Sequence, residues 1–309
     1  MSVILVTGGA GFIGSHIVER LLALGHEVRV LDNFSTGRRE NLSSFEDDID
    51  VREGDIRDVS GVERAVKGVE VVFHEAALAS VPRSVADPAS SNDVNVTGTL
   101  NLLVASRDSG VRRFVFASSS SVYGDSPELP KRESMAPSPE SPYAASKLAA
   151  ENYCRIFSSL YGLECVSLRY FNVFGPRQNP GSQYAAVVPL FVTALLEGTP
   201  PVIYGDGEQS RDFTYVANVV DANVLALSAD GVAGEVFNVA CGRTSTVNEL
   251  LAGLQGIIGT SLTAHHTDPR PGDVKHSFAD ISKAEETLGL VSDVSLDEGL
   301  ALTVDWFRS

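Results

Sequence analysis

The sequence predicts an α/β protein with a doubly wound parallel sheet and a smaller α/β lobe beside it. Short β-rich runs alternate with helical patterns in the first half, a glycine-rich loop follows the first run, and the alternation lapses after about Asn172. Strands that alternate with helices are typical of parallel sheets covered on both faces. The 309 residues, 43% hydrophobic and 21% charged, can bury a large core and are ordinary for a globular protein.

The β-rich runs and the spacing of apolar residues justify the elements in order. The first helix is predicted at residues 12–24, where Ile13, Ile17 and Leu21 recur at helical spacing and should pack on the sheet. Gly25 follows as a residue that ends helices. Strands are predicted at residues 3–7, 27–32, 69–75, 113–118 and 164–170.

The second lobe is predicted where proline and glycine become frequent. The first domain is assigned to residues 1–172, and the chain is expected to return to it at about 214–240, with a strand around 234–239. The second lobe is assigned to residues 173–309, mainly 173–213 and 241–309. No internal repeat is present in the sequence.

Composition excludes several classes of protein. A formal charge of −16 argues against binding nucleic acid, and any anionic ligand would need local cations to overcome it. This acidity is compatible with a salt-tolerant host and equally with a genomic composition bias. No apolar run reaches the roughly 18 residues of a membrane helix, and the N-terminus is interpreted as a core strand, not a signal peptide.

The three cysteines, Cys154, Cys165 and Cys241, are too scattered for a disulfide framework or a metal site. They are interpreted as core thiols, which predicts a reducing, cytoplasmic location. No metal is predicted.

The glycine loop predicts a dinucleotide site of the Rossmann type. Gly8, Gly11 and Gly14 lie between the first strand and the first helix, where phosphates would meet the positive helix N-terminus. Asp32 ends the second strand and would bind the adenosine ribose hydroxyls, which favours NAD over NADP. The alternative is that Asp32 only caps a turn. Arg38 and Arg39 are interpreted as a solvated helix start, although they could meet a 2′-phosphate.

A Tyr-x-x-x-Lys pair predicts carbonyl–alcohol redox chemistry. Ser141 and Pro142 are typical of a helix start, and Tyr143 and Lys147 then share one helix face. An isolated tyrosine titrates near ~10, and a neighbouring ammonium favours its phenolate, which makes it usable as a base.

Taken together, the motifs resemble those of the extended short-chain dehydrogenase/reductases and, among them, the UDP-sugar 4-epimerases, with the UDP-N-acetylglucosamine 4-epimerases as the nearest group. The resemblance covers essentially the whole chain, with the motifs in the family's order. They lie at residues 7–14, 54–58, 74–77, 95–99, 118–124, 143–147, 169–176 and 211–213.

The resemblance implies a role for each matched position. Ser119, Tyr143 and Lys147 are the expected catalytic residues, with Ser119 and Tyr143 hydrogen-bonded to the sugar O4. The expected NAD-binding residues are Gly8, Gly11, Phe12, Ile13, Gly14, Asp32, Asn33, Ser35, Thr36, Gly37, Asp55, Ile56, Ala76, Ala77, Asn95, Tyr143, Lys147 and Tyr170. The expected UDP-sugar-binding residues are Ser80, Arg83, Ser119, Ser120, Asn172, Gln178, Ala186, Val187, Tyr204, Arg211, Arg270, Asp273 and Ser277. Ser118 is expected only to satisfy backbone groups.

The residues after Ser119 distinguish the possible reactions. Related dehydratases carry Asp-Glu there, and related decarboxylases carry a glutamate, whereas this chain has Ser120 and Ser121. Neither serine can act as an ordinary acid or base near neutral pH. The resemblance therefore implies epimerisation, in which a hydride leaves C4 of the sugar for tightly held NAD and returns to the opposite face.

Ser277 predicts which sugar is used. The resemblance implies that this position limits the space beside C2, because enzymes confined to UDP-glucose and UDP-galactose carry a tyrosine there. A serine leaves room for an N-acetyl group, which predicts interconversion of UDP-GlcNAc and UDP-GalNAc, with the non-acetylated pair as poorer substrates.

Three alternatives remain open at this stage: a UDP-glucose 4-epimerase, a UDP-uronate 4-epimerase in which Arg83 meets the C6 carboxylate, and a redox sensor that binds NAD without catalysis. The family also implies a homodimer formed through helices predicted at 97–108 and 143–160.

Overall fold

The computed structural model describes residues 2–181, 186–269 and 275–309. The strands are β1 (Val3–Thr7), β2 (Glu27–Asp32), β3 (Ile49–Glu53), β4 (Val71–His74), β5 (Arg113–Ser119), β6 (Glu164–Tyr170), β7 (Val173–Phe174), β8 (Val202–Tyr204), β9 (Ser210–Arg211), β10 (Thr214–Tyr215), β11 (Val236–Val239), β12 (Ser245–Thr246), β13 (His265–Thr267) and β14 (His276–Ser277). The α-helices are α1 (Phe12–Ala23), α2 (Val59–Val66), α3 (Val81–Ala86), α4 (Pro88–Asn92), α5 (Thr99–Asp108), α6 (Pro142–Tyr161), α7 (Val187–Leu196), α8 (Val216–Ser228), α9 (Val247–Ile258), α10 (Ser282–Leu288) and α11 (Leu296–Arg308).

The centre of the protein is a seven-stranded parallel sheet in the order β11-β6-β5-β4-β1-β2-β3. The order reverses at β1, which is the doubly wound arrangement of dinucleotide-binding sheets. The predicted fold class is confirmed. β1, β2 and β6 have the predicted bounds, whereas β4 is shorter than predicted and β5 is one residue longer.

Two layers of helices cover the sheet because side chains alternate along its strands. On one face, Ile4 and Val6 of β1 pack with α1 and α8; on the other, Leu5 packs with residues of α2, α5 and α6. All three side chains are fully buried. Burying an aliphatic side chain of this size contributes about 1.5–3 kcal/mol, so the alternation along β1 fixes which helices lie on each face.

A stretch of π-helix joins α4 to α5, where a helix beginning at residue 97 was predicted. Residues Asp93–Gly98 form this wider turn, and α5 begins only at Thr99. The turn carries Asn95, whose side-chain oxygen accepts from the Leu78 amide at 2.8 Å and whose nitrogen donates to the Ser146 hydroxyl at 3.0 Å. The π-helical turn therefore connects the loop after β4 to α6, and such turns are frequent at functional sites.

The second half of the chain adds small sheets beside the carboxyl edge of the large one. β9 pairs with β12 and β14, β8 pairs with β13, and α7, α9 and α11 pack around them. Residues 214–240 contribute β10, α8 and β11, of which β11 joins the main sheet beside β6. Among the residues described, no helix is long and apolar enough to cross a membrane.

Candidate active site

The carboxyl ends of four neighbouring strands converge on one edge of the sheet. β1 ends at Thr7, β4 at His74, β5 at Ser119 and β6 at Tyr170. Because the strands are parallel, the loops that follow them meet at the same edge, where ligands bind in sheets of this topology.

The glycine loop after β1 is packed too tightly for side chains. A Cβ on Gly14 would lie 2.2 Å from the Gly8 oxygen, and a Cβ on Gly8 would lie 2.7 Å from the Ala76 nitrogen. Gly8 also has a φ of +69°, which glycine adopts without strain. These glycines bring the start of α1 against β1 and the loop after β4, as the sequence predicts.

The N-terminus of α1 opens into a cleft of about 450 Å³. No described side chain caps the first turn of α1, so its backbone N–H groups remain available to an anion. Most predicted NAD-binding residues line the cleft: Gly8, Gly11, Phe12, Ile13, Gly14, Asp32, Asn33, Ser35, Thr36, Gly37, Asp55, Ile56, Ala76 and Ala77. A dinucleotide fits this cradle of small residues, free amides and a carboxylate.

Asp32 is buried at the floor of the cleft. Its two oxygens accept from the Ala10 amide at 3.0 Å and from the Phe34 amide at 2.8 Å. Each carboxylate oxygen has a second lone pair, so Asp32 can accept ribose hydroxyls as well. Burial raises the pKa of this carboxyl group, and the two amides oppose the rise.

The two arginines that could meet a 2′-phosphate are engaged elsewhere. Arg39 pairs with Glu53 and stacks on Phe34, its guanidinium carbon 4.0 Å from the ring centroid, while Arg38 lies 3.7 Å from Glu40. Both are exposed at the start of a 3₁₀ turn, which agrees with the interpretation made from the sequence.

Several residues that line the cleft were missed at the sequence level. Arg57 pairs with Asp55 at 2.8 Å and so closes one side of the cleft. Glu75 lies in a motif quoted for the family, but its own role was not predicted. Arg83, predicted to bind the sugar, lines this first cleft. The other residues missed are Leu31, Gly54, Leu78, Ala79, Ser90 and Val94.

Ser119, Tyr143 and Lys147 come together beside the cleft. Ser141 caps α6 by accepting from the Ala144 amide at 3.1 Å, so α6 begins as the sequence predicts. The Tyr143 hydroxyl interacts with that of Ser119, and the Lys147 nitrogen lies 5.9 Å from the centroid of the Tyr143 ring. Lys147 is 4% exposed and donates to the Ala117 carbonyl at 2.8 Å.

The surroundings of Tyr143 and Lys147 shift the pKa of both groups. Burial raises the pKa of Tyr143, the Ser119 hydrogen bond opposes this, and the negative charge of Glu75 adds to it. Burial lowers the pKa of Lys147 to about 8, against the opposing charge of Glu75. Lys147 is therefore close to its titration point near neutral pH and sensitive to nearby charge.

A buried ion pair supports this edge of the sheet from behind. Arg169 of β6 binds Glu151 of α6 through two contacts, of 2.7 and 2.8 Å. The Ser118 hydroxyl donates to the same carboxylate at 2.5 Å. The expectation that Ser118 serves backbone groups was wrong, because a buried carboxylate needs every available donor.

A second cleft, of about 240 Å³, is lined by residues of β7, α7 and β8, together with residues at β9 and the start of α9. Its lining includes the predicted residues Asn172, Ala186, Val187, Tyr204 and Arg211. The apolar part of the lining was not foreseen. It comprises Val173, Phe174, Val188, Leu190, Phe191, Val202, Ile203, Phe213 and Val247, with Gln209 as a further polar member.

The remaining predicted substrate residues lie around these clefts or cannot be placed. Half-buried Ser277 pairs in register with Arg211, which lines the second cleft. Gln178 donates to the Val173 carbonyl at 3.1 Å, and Ser80 caps α3. Ser120 begins the 3₁₀ turn after β5. Arg270 and Asp273 lie outside the described residues.

The cradle at α1 and the Ser-Tyr-Lys cluster beside it define an NAD-binding enzyme of the extended short-chain dehydrogenase/reductase class. A model of the NAD dependent epimerase/dehydratase family matches residues 4–240. The UDP-glucose 4-epimerase of Mycolicibacterium smegmatis is 45% identical over 99% of this chain and 98% of that protein.

Two solved structures extend the similarity. UDP-N-acetylglucosamine 4-epimerase from Methanobrevibacter ruminantium, in complex with UDP-N-acetylmuramic acid, has a TM-score of 0.95 at 44% identity, covering 99% of this chain and 98% of that one. UDP-glucose 4-epimerase from Thermus thermophilus, in complex with NAD, has a TM-score of 0.92 at 44% identity, covering 99% of both chains. The chain therefore belongs to the NAD-dependent epimerase/dehydratase family, in its UDP-sugar 4-epimerase group, and uses NAD as its cofactor.

Proposed function

We propose that this protein is a UDP-N-acetylglucosamine 4-epimerase that interconverts UDP-GlcNAc and UDP-GalNAc and acts more slowly on UDP-glucose and UDP-galactose. The observation that carries the proposal is the pairing of half-buried Ser277 of β14 with Arg211 of β9, which lines the second cleft. A small side chain there leaves space for an acetamido group. The M. ruminantium relative, named for UDP-N-acetylglucosamine, supports the same choice.

The chemical step is assigned to the cluster beside the first cleft. Bound NAD supplies the hydride acceptor and donor. Tyr143, as the phenolate, removes the O4 proton, and the Ser119 hydroxyl holds O4 by a hydrogen bond. The Lys147 ammonium stabilises the phenolate, which offsets the rise that burial imposes on the Tyr143 pKa. The same tyrosine returns the proton once the 4-keto sugar has turned over.

Substrate binding is assigned to the second cleft. Val187 and Tyr204 would border the uracil, while Asn172 and Arg211 would hold the diphosphate, with Arg270 and Asp273 completing its site. A guanidinium matches phosphate geometry, so arginines here would overcome the overall charge of −16 locally.

Epimerisation is favoured over dehydration and decarboxylation by the turn after β5. Ser119 caps this turn, accepting from the Ser121 amide at 3.2 Å and from the Ser121 hydroxyl at 2.9 Å. Ser120 and Ser121 thus occupy the place where an additional acid or base would be needed, and hydroxyl groups cannot supply one near neutral pH.

We further propose the domain organisation predicted from the sequence, in which residues 1–172 mainly bind NAD and residues 173–309 mainly bind the UDP-sugar, in a homodimer. Ile156 and Leu160 of α6 are 38% and 70% exposed and one helical turn apart, which supports α6 as part of a dimer face. The three cysteines are free, which is compatible with a reducing compartment such as the cytoplasm.

A second candidate is a UDP-glucose 4-epimerase, which the M. smegmatis relative favours. Purified protein should be incubated with UDP-GalNAc, and separately with UDP-galactose, without added cofactor. The proposal predicts UDP-GlcNAc as the faster product. Turnover of UDP-galactose alone would support the second candidate, a dehydrated or decarboxylated product would redirect the assignment, and no turnover would favour an NAD sensor.

The Ser277→Tyr variant tests whether Ser277 limits the space beside C2 of the sugar. A tyrosine would fill the space beside C2, so turnover of UDP-GalNAc should fall at least tenfold while UDP-galactose is still used. Ser277→Ala is the matched control, because it keeps the space and should retain both activities. Full turnover of UDP-GalNAc by Ser277→Tyr would show that this residue does not limit that space.

A further inference from the structure

Glu75 is a half-buried carboxylate in the active site, and the proposed chemistry assigns it no role. It directly follows β4 and lines the first cleft. Placing a carboxylate at such a position costs free energy unless it is hydrogen-bonded and paired with an opposite charge. Its contacts therefore indicate a role beyond packing.

A chain of hydrogen bonds holds Glu75 over the end of the sheet. Tyr170, at the end of β6, donates from its hydroxyl to a Glu75 oxygen at 2.9 Å. This hydrogen bond spans β5, which lies between β6 and β4 in the sheet. Asn223 of α8 donates to the Tyr170 hydroxyl at 2.8 Å and is itself fixed by the Val219 carbonyl. Tyr170 is 8% exposed and Asn223 fully buried, so the carboxylate is anchored to two elements.

Among the described residues, Glu75 interacts electrostatically with members of the catalytic cluster. From α6, its charge acts on both Lys147 and Tyr143. Tyr170 faces it from β6, and Arg83 of α3 lines the same cleft. Desolvation raises the pKa of Glu75 to about 7, while Tyr170 and Lys147 oppose the rise.

We propose that Glu75 is a positioning residue whose charge, held in place by the Tyr170 hydroxyl, controls proton exchange at Tyr143 and Lys147. This rests on the proposed function, in which Tyr143 is the base. An anionic Glu75 stabilises the Lys147 ammonium and opposes the Tyr143 phenolate. A neutral Glu75 exerts neither effect.

The consequence is a broadened pH response. As the pH falls, Tyr143 tends to regain its proton, but protonation of Glu75 removes the negative charge that opposes the phenolate. The two ionisations therefore compensate each other over a range of pH, as interacting groups do when they titrate as a coupled set. Catalysis would consequently depend less steeply on pH than it does with an isolated tyrosine.

The Glu75→Gln variant tests this, since glutamine keeps the shape and removes the charge. The NAD-saturated protein is titrated from acid to alkaline pH, and the phenolate absorbance of Tyr143 is isolated by subtracting the Tyr143→Phe spectrum. In Glu75→Gln the half-ionisation point should move to lower pH by about one unit, with a steeper curve. The acid limb of the kcat profile should move in the same direction.

Two further variants control for a purely structural effect. Glu75→Asp keeps the charge and should retain the wild-type titration. Glu63→Gln makes the same chemical change on the exposed face of α2 and should shift nothing. A Glu75→Gln protein that titrates like wild type, or a Glu75→Asp protein that shifts equally, would overturn the proposal.

The titration requires no turnover, so it tests the role of Glu75 independently of the proposed epimerase activity. An inactive wild-type protein whose Tyr143 titration still shifts in Glu75→Gln would contradict the epimerase assignment alone. An active protein with no shift would contradict the role of Glu75 alone.

Discussion

At the scale of single residues, the site depends on two opposed pKa shifts on α6. Burial makes Tyr143 a weaker acid, whereas a base must be ionised near neutral pH. Burial also lowers the pKa of Lys147 to about 8, which still leaves it largely charged at pH 7. Each unit of pKa corresponds to about 1.4 kcal/mol, and under the proposed function the Lys147 ammonium supplies the stabilisation that the phenolate needs.

Replacing Lys147 by methionine removes the charge and keeps much of the volume. The pKa of Tyr143 should then rise further, and kcat at pH 7 should fall by about two to four orders of magnitude. Raising the pH should recover part of the loss, because the phenolate then forms without the ammonium. The measurement is kcat against pH, with Lys67→Met on an exposed position as control. A uniform loss at every pH would contradict this role.

The positions of residues that belong to a local sequence motif could be predicted from the sequence. Asp32 lines the first cleft, and Tyr143 and Lys147 of α6 lie close together with Ser119, while their roles stay predictions. Glu75 and Ser118 could not be assigned in this way, because their partners are Tyr170 and Glu151, far away in the chain. Side-chain partners across a sheet are fixed by strand order, which a local motif does not contain.

At the scale of elements, the strands that were predicted are those buried on both faces. β1, β4 and β6 are nearly continuous buried runs, as strands covered on both faces are expected to be. β3 was missed because it lies at the edge of the sheet, has no fully buried residue and carries three charged residues, Asp50, Arg52 and Glu53. The π-helical turn at Asp93–Gly98 was also missed, since its sequence has no signal that differs from an ordinary helix.

The start of α1 offers a sharp test of the glycine cradle. Gly14→Ala places a methyl group against the Gly8 carbonyl, so the loop must shift and NAD affinity should fall by at least tenfold. Gly256→Ala is the matched control, because Gly256 lies in α9 with no atom within 4 Å of the added Cβ. It should stabilise the helix by about 0.5–1 kcal/mol and leave NAD binding unchanged. Isothermal titration with NAD and thermal unfolding measure both effects. Equal NAD affinity in the two variants would contradict the packing argument.

At the scale of the whole molecule, the order of the seven parallel strands brings two clefts to one edge. The chain leaving β6 touches both clefts: Tyr170, at the end of the strand, donates to Glu75 of the first cleft, and Asn172, just after the strand, lines the second. The fold class followed from the sequence because alternation and the glycine loop are local signals. The shapes of the clefts did not follow, because the apolar lining of the second comes from β7, β8, α7 and α9, which meet only in the folded chain.

Under the proposed function, the first cleft would hold NAD firmly and the second would hold the UDP group firmly, while the hexose would be held loosely. A sugar oxidised at C4 can then turn over without leaving, and the same hydride can return to its other face. The proposed function therefore requires that the hydrogen at C4 never exchanges with solvent, in contrast to epimerisation by proton removal and return.

The most direct test uses UDP-GalNAc carrying deuterium at C4, incubated with the protein as purified and analysed by mass spectrometry and NMR. The account predicts UDP-GlcNAc that retains deuterium at C4 through many turnovers in ordinary water. UDP-GlcNAc with protium at C4 would contradict it, because the hydrogen would then have been lost to solvent and not held by the enzyme between the two half-reactions.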